Sequence, residues 1–391
     1  MSRQGGRILG ATSAISTTMP PPAESTEFAE LAGQPLATAT ALPAHYYVGA
    51  DADARDRRAV FAHNWQLVAQ VRQLDGPGDH VVVEIAGVPL LLVRGDDGEL
   101  RALHNVCRHR AGPLALCDGR AAKRLRCRYH GWSYALDGRL LSAPEMDDAQ
   151  DFDLAAIRLP QARVATWRGL VFAALGAAPP LAEILDGIDA RIGPSALAGY
   201  VLHQRVAYEI ACDWKVYVDN YLEGYHVPHI HPELNRMLDY RSYRTELSRW
   251  HSLQWSPLES AGDLYGNGDA LYYWVWPNTM FNILPGRVQT NRVLPLAAAR
   301  CRVEFDFYYP DAADAAARRT RDLEFSDLVQ KEDVDICECV QRGLASGSYV
   351  AGRLNPKRES GVHHFHELLR AAYRDAAAAS LEPRGGAMAS A

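Results

Sequence analysis

The sequence predicts an α+β chain of two folded domains, an all-β one followed by one built on an antiparallel sheet. Three observations predict it. Between Gln66 and Tyr134, short Val- and Leu-rich runs are punctuated by Gly and Asp clusters, the pattern of a sheet of short strands. From Tyr200 to Tyr309 a second series of strand-like runs recurs, with Pro, Gly and Asn at its turns and a long helical pattern after it. Two short clips, Cys107-Arg108-His109 and Cys127-Arg128-Tyr129-His130, lie inside the first series.

In chain order, residues 1–41 are rich in Ala, Thr, Ser and Pro, include Pro20-Pro21-Pro22, and carry no apolar signal-peptide core; a disordered tail is expected. Arg3 and Arg7 precede the first acid, Glu24, as in a transit peptide, but the tail is the preferred reading. Residues 42–66 are expected to hold a helix over 55–61 and to pack on the second domain. The first domain, 67–175, takes strands near 66–71, 80–85 and 88–93, with turns at Asp75-Gly76-Pro77-Gly78 and Gly95-Asp96-Asp97-Gly98 and both clips in loops. The second domain, 176–372, takes a strand at 200–210, a helix over 214–226 closed by Pro228, strands at 271–276, 280–284, 288–294 and 301–309, and a helix over 311–344. Residues 373–391 are expected to form a second disordered tail.

With 48% hydrophobic and 23% charged residues, 391 residues suffice for two cores. A net charge of -6 gives no basic footprint for nucleic acid, and no apolar run is long enough to span a bilayer. Seven cysteines form no secreted disulfide framework, so a reducing, cytoplasmic setting is expected.

Each clip offers one thiolate and one imidazole, and seventeen residues separate the clips. Thiolates suit one ferric ion of a sulfide-bridged pair. Neutral imidazoles on the other iron add no negative charge, so the cluster accepts an electron more readily than an all-thiolate one. That is a Rieske [2Fe-2S] centre, with Cys107, His109, Cys127 and His130 as its ligands. Structural zinc uses the same ligand types, but its clips usually space Cys from Cys and His from His, whereas these are mixed.

A second metal site is expected downstream. On a helix, Asp219, Glu223 and His226 would fall at i, i+4 and i+7 along one face, and His229 and His231 follow closely. Two histidines and one carboxylate leave positions on iron open for dioxygen. The late helix supplies the acid: Asp333 lies on the apolar stripe of Val329, Ile336, Val340 and Leu344, a costly place for an unpaired charge. Glu332 is its rival, and Glu332, Asp335 and Glu338 read better as solvated or paired charges.

These two motifs, in this order, make residues 45–370 resemble the catalytic α subunit of Rieske non-haem iron oxygenases. The family's cluster pattern matches Cys107, His109, Cys127 and His130, with Gly131-Trp132 following. Its iron pattern matches Glu223, His226 and His231, with Asp333 as the late acid; His229 is not at a ligand position. The resemblance implies a Rieske domain joined to a helix-grip catalytic domain, a mononuclear Fe(II), dioxygen as oxidant and a homotrimer. In that trimer Glu223 would bridge His226 to His109 or His130 of the adjacent subunit, with Asp219 as its support. Many members carry Asp where this chain has Glu223. The Asn that aromatic dioxygenases use near iron would fall at Asp219, not Asn220, and is not carried over. Respiratory Rieske proteins pair two cysteines beside the cluster; here Cys117 has no counterpart soon after His130.

No dinucleotide fingerprint follows a strand, and Gly5-Gly6-Arg7-Ile8-Leu9-Gly10 has neither its spacing nor its place. Electrons from NAD(P)H must therefore come through a separate reductase, with or without a ferredoxin. Aromatics crowd the expected pocket: Trp250, Tyr272, Trp274 and Trp276, with Asn282 nearby. On a strand Tyr272, Trp274 and Trp276 share a face; most of these aromatics read as sheet core, and a subset could cage a quaternary ammonium by cation–π attraction. The runs 219–226 and 276–283 resemble the choline, carnitine and betaine oxygenase branch, so hydroxylation or oxidative demethylation of such a compound is the first expectation. Hydroxylation of an aromatic acid is the second. A Rieske electron carrier or a zinc-stabilised binding module is the non-enzymatic alternative.

Overall fold

The computed structural model describes residues 29–193, 197, 199–258, 262–311 and 316–381. After helix α1 (Ala50–Ala59), six strands form one antiparallel sheet: β1 (Gln66–Gln70), β2 (His80–Ile85), β3 (Val88–Arg94), β4 (Leu100–His104), β8 (Gln161–Trp167) and β9 (Leu170–Ala174), in the order β1-β9-β8-β4-β3-β2. Between β4 and β8, three short strands, β5 (Leu125–Arg126), β6 (Ser133–Tyr134) and β7 (Leu140–Ser142), build a separate small sheet that carries the second clip.

The one-turn helices α2 (Leu181–Ile184) and α3 (Ile188–Ile192) lead into the second domain. Its seven-stranded antiparallel sheet runs β10-β16-β15-β14-β13-β12-β11. The strands are β10 (Tyr200–Ile210), β11 (Arg244–Leu247), β12 (His251–Leu258), β13 (Gly268–Val275), β14 (Thr279–Leu284), β15 (Arg287–Ala297) and β16 (Arg300–Pro310). Helix α4 (Trp214–Tyr221), the short α5 (Val227–Ile230) and α6 (Pro232–Met237) fill the β10–β11 connection, and α7 (Gly262–Tyr265) precedes β13. Two long helices, α8 (Ala316–Ala345) and α9 (Ser360–Leu381), close the chain.

Period-two alternation decides which side of this sheet each residue serves. Leu271, Tyr273 and Val275 of β13 pack with Trp65, just before β1, and with Leu67 and Phe172 of the first domain. Trp274, from the opposite face, packs with Trp214 of α4 and Phe365 of α9. One face is thus gripped by helices, and the other is covered by β1, β9, α2 and α3.

Two expectations need correction. Residues 29–41 and 373–381, expected to be disordered, are part of the fold. Leu31, Ala39 and Tyr373 are buried in the main core, and Arg353 donates to the carbonyls of Ala37 and Thr38. Residues 1–28 and 382–391 lie outside the described residues. The helix expected over 214–226 stops at Tyr221. There the Glu223 carboxylate accepts the amide hydrogens of Tyr225 and His226, giving those donors a side-chain partner in place of a helix carbonyl. Pro228 then opens α5.

Candidate metal centres and substrate cavity

The two clips fold as near copies. In each, the cysteine carbonyl accepts an amide hydrogen four residues on (Ala111 and Gly131, both 3.0 Å), and the cysteine amide donates to a carbonyl five residues on (Gly112 and Trp132, both 2.9 Å). Gly112 must be glycine here, because a Cβ would stand 2.9 Å from Cys127 Sγ. Cys107 and Cys127 are buried, while His109 and His130 are exposed, with ring centroids 4.6 Å apart. His109 stacks on Trp132 at 4.9 Å. The Tyr134 hydroxyl lies 3.2 Å from Cys107 Sγ and accepts the Arg108 amide at 3.0 Å. Desolvation, then His109 and Arg110, push the His130 pKa down, favouring the neutral imidazole that ligates metal. Two inner thiols and two outer imidazoles fit a Rieske cluster. The four do not gather as a single-ion group among the described residues, which suits a two-iron cluster between them better than one zinc ion.

The second centre is tighter. One ligating atom from each of His226, His231 and Asp333 lies within 4.8 Å of the other two. Asp333 Oδ1 stands 3.0 Å from His231 Nε2 and 3.9 Å from His226 Nε2. The opposite ring nitrogens are each held by a carboxylate. Glu223 Oε1 is 2.6 Å from His226 Nδ1, and Glu332 Oε2 is 2.7 Å from His231 Nδ1. With Nδ1–H donating to a carboxylate, each Nε2 lone pair is directed inward. Burial lowers the pKa of His231, but Asp333 and Glu332 outweigh it and the net shift is upward. Two imidazoles and a carboxylate fit a ferrous ion with open positions.

Sequence reasoning missed two residues here. Glu332, treated as a rival ligand or a paired charge, is the partner of His231. Asn220 Nδ2 donates to Asp333 Oδ1 at 2.7 Å; its proximity in sequence to Glu223 was the available signal. Asp219, expected to support Glu223, instead accepts from Tyr47 at 2.7 Å and pairs with His366 Nε2 at 2.9 Å. Glu223 and His226 lie beyond the end of α4, so the three do not share its face. His229 is exposed.

Beside this centre lies a cavity of about 130 Å³, small against the several hundred Å³ of a drug-sized pocket. Tyr217, Tyr221, Tyr243, Tyr265 and Tyr272 line it. Burial raises the pKa of every one of them, so all stay neutral hydroxyls. Tyr272 and Asn282 were expected in the pocket and are there; Asn282 accepts from Tyr221 at 2.6 Å. Trp250, Trp274 and Trp276 are not among its walls. Trp274 shares the face of Tyr272 but sits further along β13, against Phe365 at 5.3 Å. Trp276 lies past the strand end in the same core, and Trp250 donates to Glu183 at 3.2 Å.

The chain matches the Rieske [2Fe-2S] domain over residues 64–161 and the ring hydroxylating alpha subunit catalytic domain over 197–375. It is 36% identical to the chloroplastic choline monooxygenase of Arabidopsis thaliana over 355 residues, 86% of this chain and 83% of that one. The chain belongs to the Rieske ring-hydroxylating oxygenase α-subunit family. The carnitine monooxygenase oxygenase subunit of Escherichia coli K12 is 30% identical, covering 85% of this oxygenase and 94% of its own length. The solved quaternary ammonium Rieske monooxygenase CntA superposes with a TM-score of 0.79 at 26% identity, over 88% of this chain and 99% of that one. Naphthalene 1,2-dioxygenase from a Rhodococcus species, at 18% identity and a TM-score of 0.70 over 85% and 94% of the two chains, shares the fold. This oxygenase is an oxidoreductase. Its cofactors are a [2Fe-2S] cluster and a non-haem iron, and it uses dioxygen with reductase-derived electrons. No described helix is long and apolar enough to cross a membrane.

Proposed function

We propose that this oxygenase hydroxylates or oxidatively demethylates a small quaternary ammonium compound, with the iron held by His226, His231 and Asp333 and the cluster by Cys107, His109, Cys127 and His130. The observation that carries this reading is the small tyrosine-walled cavity opening on the two-histidine, one-carboxylate centre. The named substrates of its relatives support it: choline and carnitine monooxygenases, and CntA in complex with L-carnitine.

When bound, the iron supplies dioxygen activation, and the cluster supplies electrons singly. The chain's own residues do the rest. Glu223 and Glu332 fix the two imidazoles, and Asn220 fixes Asp333. The neutral tyrosines offer π faces to a cation without neutralising it. Leu234, Met237, Leu258 and Phe325 line the cavity with them and give it an apolar wall.

Glu223 is the electron-transfer bridge, joining His226 to His109 or His130 of a neighbouring copy in a homotrimer. Charge supports that docking. Arg108, Arg110, Arg124, Arg126 and Arg128 are exposed around the clips, while Glu359 feels the charges of both Glu223 and Asp219, so the Glu223 side is acidic. Electrons originate from NAD(P)H on a separate reductase, in a cytoplasmic setting.

The test is a single turnover. Holoenzyme with a reduced cluster is exposed to dioxygen with a quaternary ammonium panel or with aromatic acids, and products are read by mass spectrometry. Hydroxylated or demethylated ammonium product supports the reading; ring-hydroxylated acid alone overturns it.

A further inference from the structure

A buried strand face ordinarily carries apolar side chains. The helix-facing side of β15 instead presents Arg287, Gln289 and Asn291, three successive alternate residues, into the cavity. They are 5%, 1% and 1% exposed. Three buried donors lining this cavity have no partner in the described protein: Arg287 Nε, Gln289 Nε2 and, from α8, Gln330 Nε2. Only one unpartnered acceptor accompanies them, Asn291 Oδ1. Buried polar groups are nearly always satisfied, so the floor is built to receive an acceptor-rich group.

Arg287 is also aimed. Its Nη1 donates to Asp322 Oδ1 at 2.8 Å, a single-pronged contact that leaves Nε free. Asp322 is itself held by the hydroxyls of Tyr265 and Tyr309. Asp322 and Asp333 both lie on α8, eleven residues apart, so roughly 16 Å of helix separates them. The cavity therefore has two poles. The carboxylates Glu223 and Asp333 accompany the histidines, the Asp322-held guanidinium lies about three helical turns away, and Gln330 stands between them on α8.

We infer that Arg287, steadied by Asp322 and assisted by Gln289, is the anchor for the carboxylate of a zwitterionic trimethylammonium substrate, so that this oxygenase prefers betaines to choline. The inference rests on the quaternary ammonium reading above and names its substrate class. A carboxylate accepts from the free N–H groups in the charge-assisted geometry that guanidinium favours. The cationic methyl end is then left among the tyrosines, towards the histidines. An alcohol in the same place offers one oxygen and no charge.

The test uses holoenzyme with both iron centres loaded, titrated anaerobically with γ-butyrobetaine, with choline and with benzoate. The wild type is expected to bind γ-butyrobetaine about tenfold or more tighter than choline, the range for hydrogen bonds to a charged group. In Arg287→Gln that ratio falls towards one, and Arg287→Lys is intermediate. In turnover the KM for γ-butyrobetaine rises with little change in kcat, the signature of lost uniform binding. If Arg287→Gln fails to keep its cluster absorbance, Arg287→Lys and Gln289→Leu carry the comparison. Choline binding as tightly as γ-butyrobetaine in the wild type overturns the inference and leaves the quaternary ammonium reading intact. Equal weakening of both ammonium ligands in the variants, as a purely structural arginine would give, does the same. Benzoate binding with neither ammonium ligand overturns both.

Discussion

Glu332→Ala removes the carboxylate that holds the outer nitrogen of His231. In the proposed ligand set of His226, His231 and Asp333 the residue is not a ligand, so the change tests orientation alone. His231 is 1% exposed, and the Glu332 contact, at 2.7 Å, is charge-assisted. Such bonds contribute about 1.5–3 kcal/mol when buried. The Glu332 side chain is 27% exposed, so solvent screens it and the lower end applies, about 1.5 kcal/mol. At about 1.4 kcal/mol per tenfold, iron affinity should fall roughly tenfold or somewhat more, within the span seen when such supporting partners are removed. The assay is competition between the enzyme and a ferrous chelator, with the cluster's visible absorbance as an internal control, because the clips share no partner with Glu332. Glu332→Gln restores an acceptor and should recover most of the loss. Unchanged iron affinity in Glu332→Ala, or equal loss of cluster and mononuclear iron, would refute the reasoning.

Three further outcomes are expected. Glu223→Gln keeps an acceptor near His226 and should retain both metals, yet slow cluster reoxidation in a single turnover by about tenfold or more; a normal rate removes the bridging role. Tyr134→Phe deletes the hydroxyl beside Cys107 Sγ, and a hydrogen bond to sulfur favours the reduced cluster. Its potential should fall, by about 40 mV if a net bond of about 1 kcal/mol is lost, and redox titration showing no change contradicts this. His364 is pushed down to about 4 by burial, then by His251 and His363. The unfolded chain binds that proton near pH 6.5, so stability is full above 6.5 and is lost as pH falls towards 4, by about 2–3 kcal/mol. Thermal melts of His364→Phe should show a flatter pH profile across that window.

How much was legible in the sequence follows from how local each feature is. The clips could be read because their ligands sit within two or three residues of each other, and their spacing alone argued against zinc. The strands at 80–85 and 200–210 were read to the residue because their runs are bounded by turn residues. Asp333 could be read because an acid on an apolar helical stripe stands out, although that stripe is not the buried one: Val340 is 45% exposed, and Asp322, Gln330, Cys337 and Gln341 are the buried positions of α8. What failed depended on partners far along the chain. Period two told correctly that Trp274 shares a face with Tyr272. It could not tell that Phe365, ninety residues later, would claim the far end of that face while the cavity took the near end. The end of α4 was hidden because a carboxylate, normally a tolerable helix residue, had turned back on its own backbone at Glu223.

The missed supporters share one physical cause. Glu332 sits on the same turn as the proposed ligand Asp333, so a helical pattern assigns it to a more solvated face. Only the arrival of His231 from a separate connection turns it into a partner. The same argument makes β15 the most informative segment in retrospect. Arg287, Gln289 and Asn291 alternate with Val288 and Thr290, which reads locally as an ordinary half-exposed strand. In the folded sheet both faces are covered, by the helices on one side and by the first domain on the other. A polar stripe in that position has no solvent to face. Its donors must be answered from within the cavity, and that requirement points from the sequence of one strand to the chemistry of what the enzyme binds.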